Sequence, residues 1–161
     1  MPTSTHQLTF RMNIIAKITP PVELGKTPDG ICMNYPIIGG EFYAIGNDQS
    51  KIKGVVLPNG ADFFRERADK VGILNAIYSL QTETGQVINI QNTGLIRNTK
   101  KGQEMVEQGI WPIPESEYYC RCTPVFSAPE GPLFWLNDSI FTGSVTYPAA
   151  DTVDIKVFEL T

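Results

Sequence analysis

The sequence is poor in the residues that carry the commonest catalytic and metal-binding chemistries. It has one histidine, His6, and three cysteines among 161 residues. A Ser-His or Cys-His nucleophile pair needs a histidine held by the fold, and His6 stands in a polar N-terminal stretch, which argues against triad hydrolysis. Structural zinc needs four ligands at turn-type spacing. Cys120-x-Cys122 has no second pair, so the sequence predicts no metal site.

The net charge, the length of the apolar runs and the absence of nucleotide-binding motifs argue against three further classes of protein. The net charge is −4, and no basic stripe with interleaved aromatic residues marks a nucleic-acid surface. No apolar run approaches the roughly 20 residues that a membrane helix needs. Neither a Gly-x-Gly-x-x-Gly motif nor a P-loop is present, so we predict no cofactor. An odd number of cysteines and a start without a secretory pattern lead us to expect a cytoplasmic protein.

The pattern that is present is alternation. Residues 7–18 alternate polar and apolar side chains except at Ile15, which predicts a long half-buried strand. Turn residues separate further short strands, and we expect a loop at 22–30. The predicted strands are 31–38, 41–45, 51–57, 72–80, 86–92, 117–126 and 152–160, with one or two more within 134–147.

This pattern predicts a single all-β domain, residues 1–161, with 1–6 as a polar N-terminal tail. About eight to ten strands with turns between neighbours are typical of an antiparallel barrel or sandwich. Long strands at both chain ends favour a barrel whose first and last strands meet, since closure removes exposed edges. The exception is 98–114, a long connection with a short helix at 103–108. We expect it to cross one barrel end with Trp111 turned inward.

Residues 54–67 combine a sharp corner with charged and aromatic side chains. Pro58-Asn59-Gly60 predicts a chain reversal, because proline pre-sets φ and Asn-Gly accepts positive φ. Asp62, Phe63 and Arg67 follow directly. Two interpretations stay open at this point: the rim of a pocket, or a solvated hairpin whose charges face water.

The predicted strand 117–126 carries a second polar row. A period of two puts Tyr119, Arg121 and Thr123 on one face, with Cys120 and Cys122 on the other. The ring and the guanidinium favour a row that faces a polar cavity, in which Arg121 pairs with Asp62 and Glu117. The alternative is a row that faces water, as in any antiparallel barrel.

Two motifs carry a family resemblance. They are Gly54-x-Val56-Leu57-Pro58-x-Gly60-Ala61-Asp62 and Tyr118-Tyr119-x-Arg121-x-Thr123-Pro124-x-Phe126, with Trp135-Leu136-Asn137 after them. The chain resembles the domain-of-unknown-function family 3237 from about Leu8 to Leu160. The resemblance implies a lipocalin-like β-barrel. Some fungal relatives resemble cofactor-free isomerases or cyclases of aromatic polyketides, including chalcone-type ring closure.

Departures from the family pattern bear on the ligand. The family usually has tryptophan where this chain has Phe63, and it often has arginine at the positions of Cys32, Met33 and Ile77. A pocket without those arginines is more apolar. The resemblance therefore implies a ligand that is less anionic than that of other members.

Two functions are weighed on this basis. The first is a cofactor-independent isomerase or lyase, an intramolecular cyclase acting on a phenolic or enone molecule of polyketide or flavonoid secondary metabolism. In it Arg121 stabilises the enolate, Tyr119 assists by a hydrogen bond, and Asp62 is either the base or the group that orients the base. The expected substrate contacts are Tyr35, Phe63, Arg67, Trp111, Thr123, Trp135 and Asn137.

The second function is a non-catalytic, lipocalin-like binding protein for an aromatic metabolite, since burial of rings with a few polar anchors is all that binding requires. A structural protein without a pocket is the third alternative. The expected partner is a small aromatic molecule, and we expect binding to neither nucleic acid nor membrane. For the oligomeric state, a homodimer is an alternative to the monomer.

Overall fold

A computed structural model describes residues 5–161, so residues 1–4 of the predicted polar tail lie outside the described part. Ten strands and one α-helix make up most of it. In chain order they are β1 (Leu8–Ile18), β2 (Val22–Thr27), β3 (Gly30–Ile45), β4 (Lys51–Val56), β5 (Gly60–Glu66), β6 (Gly72–Thr82), β7 (Val87–Asn98), α1 (Lys100–Glu107), β8 (Tyr118–Ser127), β9 (Phe141–Ala149) and β10 (Thr152–Leu160). Short 3₁₀ turns occupy Glu115–Glu117 and Phe134–Asp138.

The strands form a closed antiparallel barrel of eight wall positions with two extra strands. The order runs β1, β10, β9, β8, β7 and β6, then β4 and β3, and β3 returns to β1. Ile14 of β1 pairs with Ile155 of β10 on one side and with Phe42 of β3 on the other. The prediction that the first and last strands meet is confirmed. Closure leaves the wall without a free edge at this seam.

The predicted chain reversal at Pro58-Asn59-Gly60 is wrong. β4 and β5 run in the same direction and share one wall position between β3 and β6. The Asn59 side chain accepts from the Ser79 N–H at 3.2 Å and donates to Ser79 Oγ at 3.0 Å, which ties the corner to β6. Gly60 has no positive φ, and a Cβ there would overlap the Ile77 carbonyl. The corner therefore bends one wall strand and does not form a hairpin.

Two other sequence predictions in this region differ from the structure. The loop expected at 22–30 contains β2, which pairs with the first half of β3 outside the barrel wall. The two strands expected at 31–38 and 41–45 are one strand, β3, because Gly39 and Gly40 bend it without ending it. Gly40 has φ +133°, and a side chain there would overlap the Ile15 carbonyl of β1.

The barrel interior divides into a packed end and a hollow end. Met12, Leu80 and Ile88 are fully buried at the packed end, which Leu133 and Leu136 close from the segment between β8 and β9. Further along the same strands, residues such as Ala16, Leu74 and Ile96 line a cavity. Helix α1 and the segment after it lie beside the hollow end, so the barrel has one closed end and one open end.

Helix α1 is short. The Thr99 hydroxyl caps its N-terminus by accepting from the Gly102 N–H at 3.0 Å. It begins three residues earlier than the predicted 103–108.

Within residues 5–161 no helix has the length and hydropathy to cross a membrane.

Candidate functional site

The hollow end of the barrel is a cavity of about 560 Å³. Its wall is mostly aliphatic and aromatic, and it reaches the surface beside Trp111, which is 39% exposed. The aromatic side chains that line it come from four strands and from the segment after α1: Tyr35, Phe64, Tyr78, Trp111 and Tyr147. A cavity of this size and character is typical of a site for a small organic ligand.

Asp62 is one of three acidic residues that line the cavity, with Glu66 and Asp151, and burial raises its pKa. It lies on β5, opposite Tyr35 of β3 and Ala76 of β6. Burial raises the pKa of its carboxyl to about 6, although the Asn75 backbone N–H donates to Oδ1 at 2.8 Å and acts in the opposite direction. Desolvation thus outweighs the hydrogen bond. Near neutral pH the group is a carboxylate that takes up a proton easily.

Tyr35 stands next to Asp62 on the same wall. Its hydroxyl donates to the Met33 thioether sulfur at 3.1 Å. Burial raises the pKa of this phenol, and the charges of Asp62 and Glu23 raise it further. Tyr35 therefore stays protonated at neutral pH and remains a hydrogen-bond donor. A thioether is a weak acceptor, so a ligand oxygen can replace it.

Further polar side chains lie among the apolar ones deeper in the cavity. Tyr78 and Asn92 are 3% and 5% exposed. The Tyr147 hydroxyl lies 3.7 Å from Cys120 Sγ. Burial is the main cause that raises the pKa of both phenols well above the ordinary value, so both are neutral donors.

The mouth of the cavity is bordered by α1 and the segment that follows it. Gln103 and Val106 of α1 line the cavity, as does Ile110. The Trp111 ring lies 5.0 Å from the Tyr147 ring in an edge contact. Trp111 is therefore turned toward the cavity at the barrel end, the placement that the sequence analysis expects.

The polar row of β8 faces away from the cavity. Tyr119 is 40% exposed, and Arg121 and Thr123 are exposed as well, while Cys120 and Cys122 are buried inside. The Arg121 guanidinium covers the Tyr119 ring at 4.8 Å and donates to the Cys120 carbonyl at 2.8 Å. The prediction that this row faces the interior is wrong, and so is the predicted pairing of Arg121 with Asp62 and Glu117.

Small residues explain why β8 turns its thiol face inward. Cys122 lies in register between Gly94 of β7 and Gly143 of β9. A Cβ on Gly143 would lie 2.7 Å from Cys122 Sγ. The wall is so closely packed at this point that a tyrosine or an arginine has no room inside.

Two predicted contact residues of β5 and its C-terminal end also lie outside. Phe63 is 45% exposed on the outer face of β5, because the period of two turns it away from Asp62. Arg67 is exposed and donates to Asp69 Oδ1 at 3.0 Å through Nε. Neither side chain lines the cavity.

Trp135 and Asn137 lie in the 3₁₀ turn at the packed end. Trp135 packs against Phe141, with ring centroids 5.9 Å apart. The Asn137 side chain accepts from the Ala128 N–H and donates to the Ala128 carbonyl, both at 2.9 Å. Their role is to hold this segment across the barrel. Of the sequence-predicted site residues, the cavity brings together Asp62, Tyr35 and Trp111.

Sequence reasoning missed Tyr78, Asn92 and Tyr147. For Asn92 a signal is present, since Ile88, Ile90 and Ile96 lie on the same face of β7 and Asn92 is a polar residue within that apolar row. For the two tyrosines the pattern gives no such signal, because a tyrosine on an apolar face is ordinary core. Across the described residues 5–161, no group of three His, Cys, Asp or Glu side chains is placed to hold a metal ion.

This chain is similar to known proteins both in sequence and in structure. A UPF0311 protein of Rhodopseudomonas palustris is 30% identical over 165 residues, covering 98% of this chain and 99% of the relative. The crystal structure of the conserved protein of unknown function from R. palustris superposes with a TM-score of 0.86 at 30% identity, covering 99% of this chain and all of the other. A β-barrel-like protein of Acinetobacter baumannii gives a TM-score of 0.80 at 26% identity, with 99% of each chain covered.

A more distant likeness is to a crystal structure described as an enzyme from Penicillium herquei. The TM-score is 0.66 at 16% identity, with 100% of this chain and 98% of the other covered, and at that identity the likeness shows the fold alone. The sequence profile described as "Protein of unknown function (DUF3237)" matches residues 5–160. The chain therefore belongs to the DUF3237 family.

Proposed function

We propose that this barrel is a cofactor-independent isomerase or cyclase that acts on a small aromatic molecule in its cavity. The observation that carries the proposal is Asp62, a carboxyl group whose pKa is raised to about 6 on the wall of an aromatic-lined cavity. A group with that pKa is charged at neutral pH and still returns a proton readily. Those are the properties that a general base needs when the same group must later act as an acid.

The lining supports an aromatic ligand with little negative charge. Five aromatic side chains offer edge and face contacts to a ligand ring. Within the described part of the chain, Lys70 supplies the one positive charge on the cavity lining, and it lies at the mouth, 3.4 Å from Glu66. An anionic ligand would meet Asp62 without a nearby cation. A neutral phenol or enone fits the cavity better.

Ring closure of a hydroxy-enone illustrates the chemistry. Asp62 takes the proton of the phenolic hydroxyl, and the phenolate oxygen forms a bond to the β-carbon of the enone. The π electrons of the C=C bond move to the carbonyl oxygen, which becomes an enolate. Protonated Asp62 then returns the proton to the α-carbon. Substrate and product are isomers, so the reaction consumes no oxidant, reductant or cofactor.

Tyr35 takes the place that the sequence analysis gave to Arg121. It lies opposite Asp62, and its neutral hydroxyl can exchange Met33 Sδ for the carbonyl oxygen that becomes the enolate. A donor placed in advance in a poorly hydrated cavity stabilises developing charge more than water does. Asp62 is thus the base and Tyr35 the oxyanion donor.

The test uses 2′-hydroxychalcone and related enones as probes, with no cofactor added and the loss of enone absorbance as the measurement. The wild-type protein should accelerate closure of at least one probe. Asp62→Asn should reduce that acceleration about 100-fold or more, as loss of a general base does. Asp138→Asn is the matched control, since Asp138 is exposed in the 3₁₀ turn at the packed end. A panel without any acceleration overturns the proposal.

The second candidate is a non-catalytic carrier of an aromatic metabolite. It is favoured by the predominantly apolar lining, which supplies binding without chemistry. Chromatography of the ligand after incubation separates the two functions. A carrier returns the ligand unchanged and binds hydroxy-enone and ring-closed isomer alike, whereas the enzyme returns the isomer.

A further inference from the structure

Two polar side chains deep in the cavity each have an oxygen atom without a hydrogen-bond partner. Tyr78 of β6 and Asn92 of β7 both line it, and both are more than nine-tenths buried. Across residues 5–161, neither the Tyr78 hydroxyl nor Asn92 Oδ1 meets a partner. A buried polar atom without a partner destabilises a folded protein, and natural proteins contain few of them. A pair of such atoms in one cavity therefore points to a ligand group that satisfies them.

Strand register makes these two side chains neighbours. Asn92 pairs with Ala76 of β6, and Tyr78 is two residues further along the same strand. Diagonal neighbours on adjacent strands are about 7–8 Å apart, within reach of a tyrosine side chain. On the other side of Ala76, β5 contributes Asp62. Because the Ala76 side chain is small, it leaves a depression in the cavity wall between Asp62, the proposed base, and the Tyr78–Asn92 pair.

Protonation and orientation define what the pair can bind. Burial, more than the nearby Cys122 and Asp62, raises the pKa of Tyr78, so its hydroxyl remains a donor. Burial also raises the pKa of the Cys122 thiol to about 11, and the Asn92 amide beside it acts in the opposite direction. An amide lowers a thiol pKa when its NH₂ group faces the sulfur, which leaves Oδ1 as the free acceptor. The pair offers one donor and one acceptor.

We propose that Tyr78 and Asn92 form a subsite for a single hydroxyl group of the ligand, which accepts from the Tyr78 hydroxyl and donates to Asn92 Oδ1. A phenolic hydroxyl has one hydrogen and free lone pairs, so it satisfies both side chains at once. A methyl ether accepts but cannot donate, and a ring hydrogen does neither. The subsite therefore selects an aromatic ligand with a free hydroxyl on the ring that lies deeper in the cavity. This inference rests on the proposed aromatic ligand and adds the residues that set its specificity.

The experiment compares five probes: the hydroxychalcones with the hydroxyl at the 4 or the 4′ carbon, the two corresponding methoxychalcones, and chalcone itself. Dissociation constants are measured by quenching of tryptophan fluorescence, since Trp111 lines the cavity, and are checked by calorimetry. Wild-type protein should bind the better hydroxychalcone about tenfold more tightly than the corresponding methoxychalcone and chalcone, because the analogues leave buried polar groups unpaired.

Variants assign that preference to the two residues. Tyr78→Phe and Asn92→Leu should each reduce the preference for the hydroxyl to less than about threefold and leave the affinity for unsubstituted chalcone at least as high. Tyr43→Phe is the matched control, because Tyr43 does not line the cavity and its ring packs against Phe10 and beneath Lys51. Thermal unfolding checks that each variant folds, and Tyr78→Phe should unfold at the wild-type temperature or above it.

The outcomes separate this inference from the proposed function. If chalcones bind but wild-type protein shows no preference for the hydroxyl, or if the preference survives in both variants, the subsite is overturned and the aromatic ligand stands. If none of the probes binds, the aromatic ligand is overturned and the subsite with it. The wild-type comparison alone decides the first question, so the test does not depend on the folding of any variant.

Discussion

Asp62 and Tyr35 lie directly opposite each other on β5 and β3, and both line the same cavity. Both pKa values are raised, yet at neutral pH the carboxyl stays mostly charged and the phenol stays neutral. The pKa of Asp62 rises to about 6, so the carboxyl is mostly ionised at neutral pH, while the pKa of Tyr35 rises from a value that is already high. At pH 7 the pair is a carboxylate beside a neutral phenol. The two side chains are thus in the protonation states that the proposed base and the proposed hydrogen-bond donor need.

The raised pKa of Asp62 predicts how stability depends on pH. The folded protein holds the Asp62 proton more tightly than the unfolded chain does. Proton binding at Asp62 therefore contributes stability that is fully present below pH 3.8 and is lost as pH rises through about 6. A difference of two pKa units corresponds to about 3 kcal/mol at most. Asp62→Asn keeps an acceptor for the Asn75 N–H and removes the charge. We expect this variant to be more stable than wild type at pH 7.5, with the advantage gone at pH 3.5.

Urea unfolding of both proteins at several pH values measures this difference. Asp138→Asn serves as the control, since the Asp138 side chain is exposed at the packed end of the barrel and does not line the cavity. Parallel profiles for wild type and Asp62→Asn would show that the carboxyl is well hydrated. In the same variant, catalysis should fall while stability rises, the usual relation between a strained functional group and the fold that holds it.

Arg121 tests the corrected orientation of β8. It lies outside the barrel over the Tyr119 ring, so Arg121→Ala should leave ligand affinity and turnover of 2′-hydroxychalcone within about twofold of wild type. Stability should change by less than about 0.5–1 kcal/mol, as for most surface substitutions. Arg121→Lys should be equally silent. A tenfold loss of affinity or turnover in either variant would return this residue to the site.

The polar row of β8 shows what the sequence could and could not predict. Alternation correctly predicted that Tyr119, Arg121 and Thr123 share a face, but periodicity alone does not say which face is inside. That choice depends on the neighbouring strands, where Gly94 and Gly143 leave room for nothing larger than Cys122. Such information lies in residues far away along the chain.

The corner before Asp62 failed for a related reason. Pro58-Asn59-Gly60 has the composition of a reversing turn, yet the Asn59 side chain is bonded to Ser79, twenty residues later, and the chain continues as one wall strand. Local propensity gave the position of the bend correctly. A tertiary contact decided its direction. The closure of β1 on β10 was predictable from the hydrophobic period and the length of the terminal strands, and the placement of Trp111 from the length of the connection that carries it.

The row of small residues across β7, β8 and β9 gives a stability prediction. A Cβ on Gly143 would lie 2.7 Å from Cys122 Sγ and 3.0 Å from the Lys156 carbonyl. Gly143→Ala should therefore destabilise the barrel by roughly 1–3 kcal/mol, as overpacking does. Cys122→Ala in the same chain should recover part of that loss, because it removes the closest atom.

Urea unfolding of the single and double variants gives the coupling between the two sites. Cys120→Ala in the Gly143→Ala background is the control, because Cys120 is a buried thiol that the new Cβ does not meet. Equal recovery by the two cysteine variants would mean that the strain is spread over the wall. Recovery confined to Cys122→Ala would locate it at the contact that forces β8 to face inward with its thiols.

Trp111 tests whether the segment after α1 contributes to binding. Its ring lies at the cavity mouth, 5.0 Å from Tyr147, and is 39% exposed, so it covers a ligand while contributing little to the barrel core. Truncation of an aromatic contact residue typically weakens binding by about tenfold or more. We expect Trp111→Ala to weaken binding of hydroxychalcone by that factor and to lower the unfolding temperature by only about 2–4 °C.

Phe134→Ala is the matched control for this prediction. Phe134 is a similarly exposed aromatic residue, 45% exposed, in the 3₁₀ turn at the packed end, where no ligand is expected. Its truncation should leave the dissociation constant unchanged. Calorimetry measures affinity in both variants, since Trp111→Ala removes the fluorescent reporter. If the two variants bind hydroxychalcone equally well, the segment after α1 is a connection and the ligand is held by the strands alone.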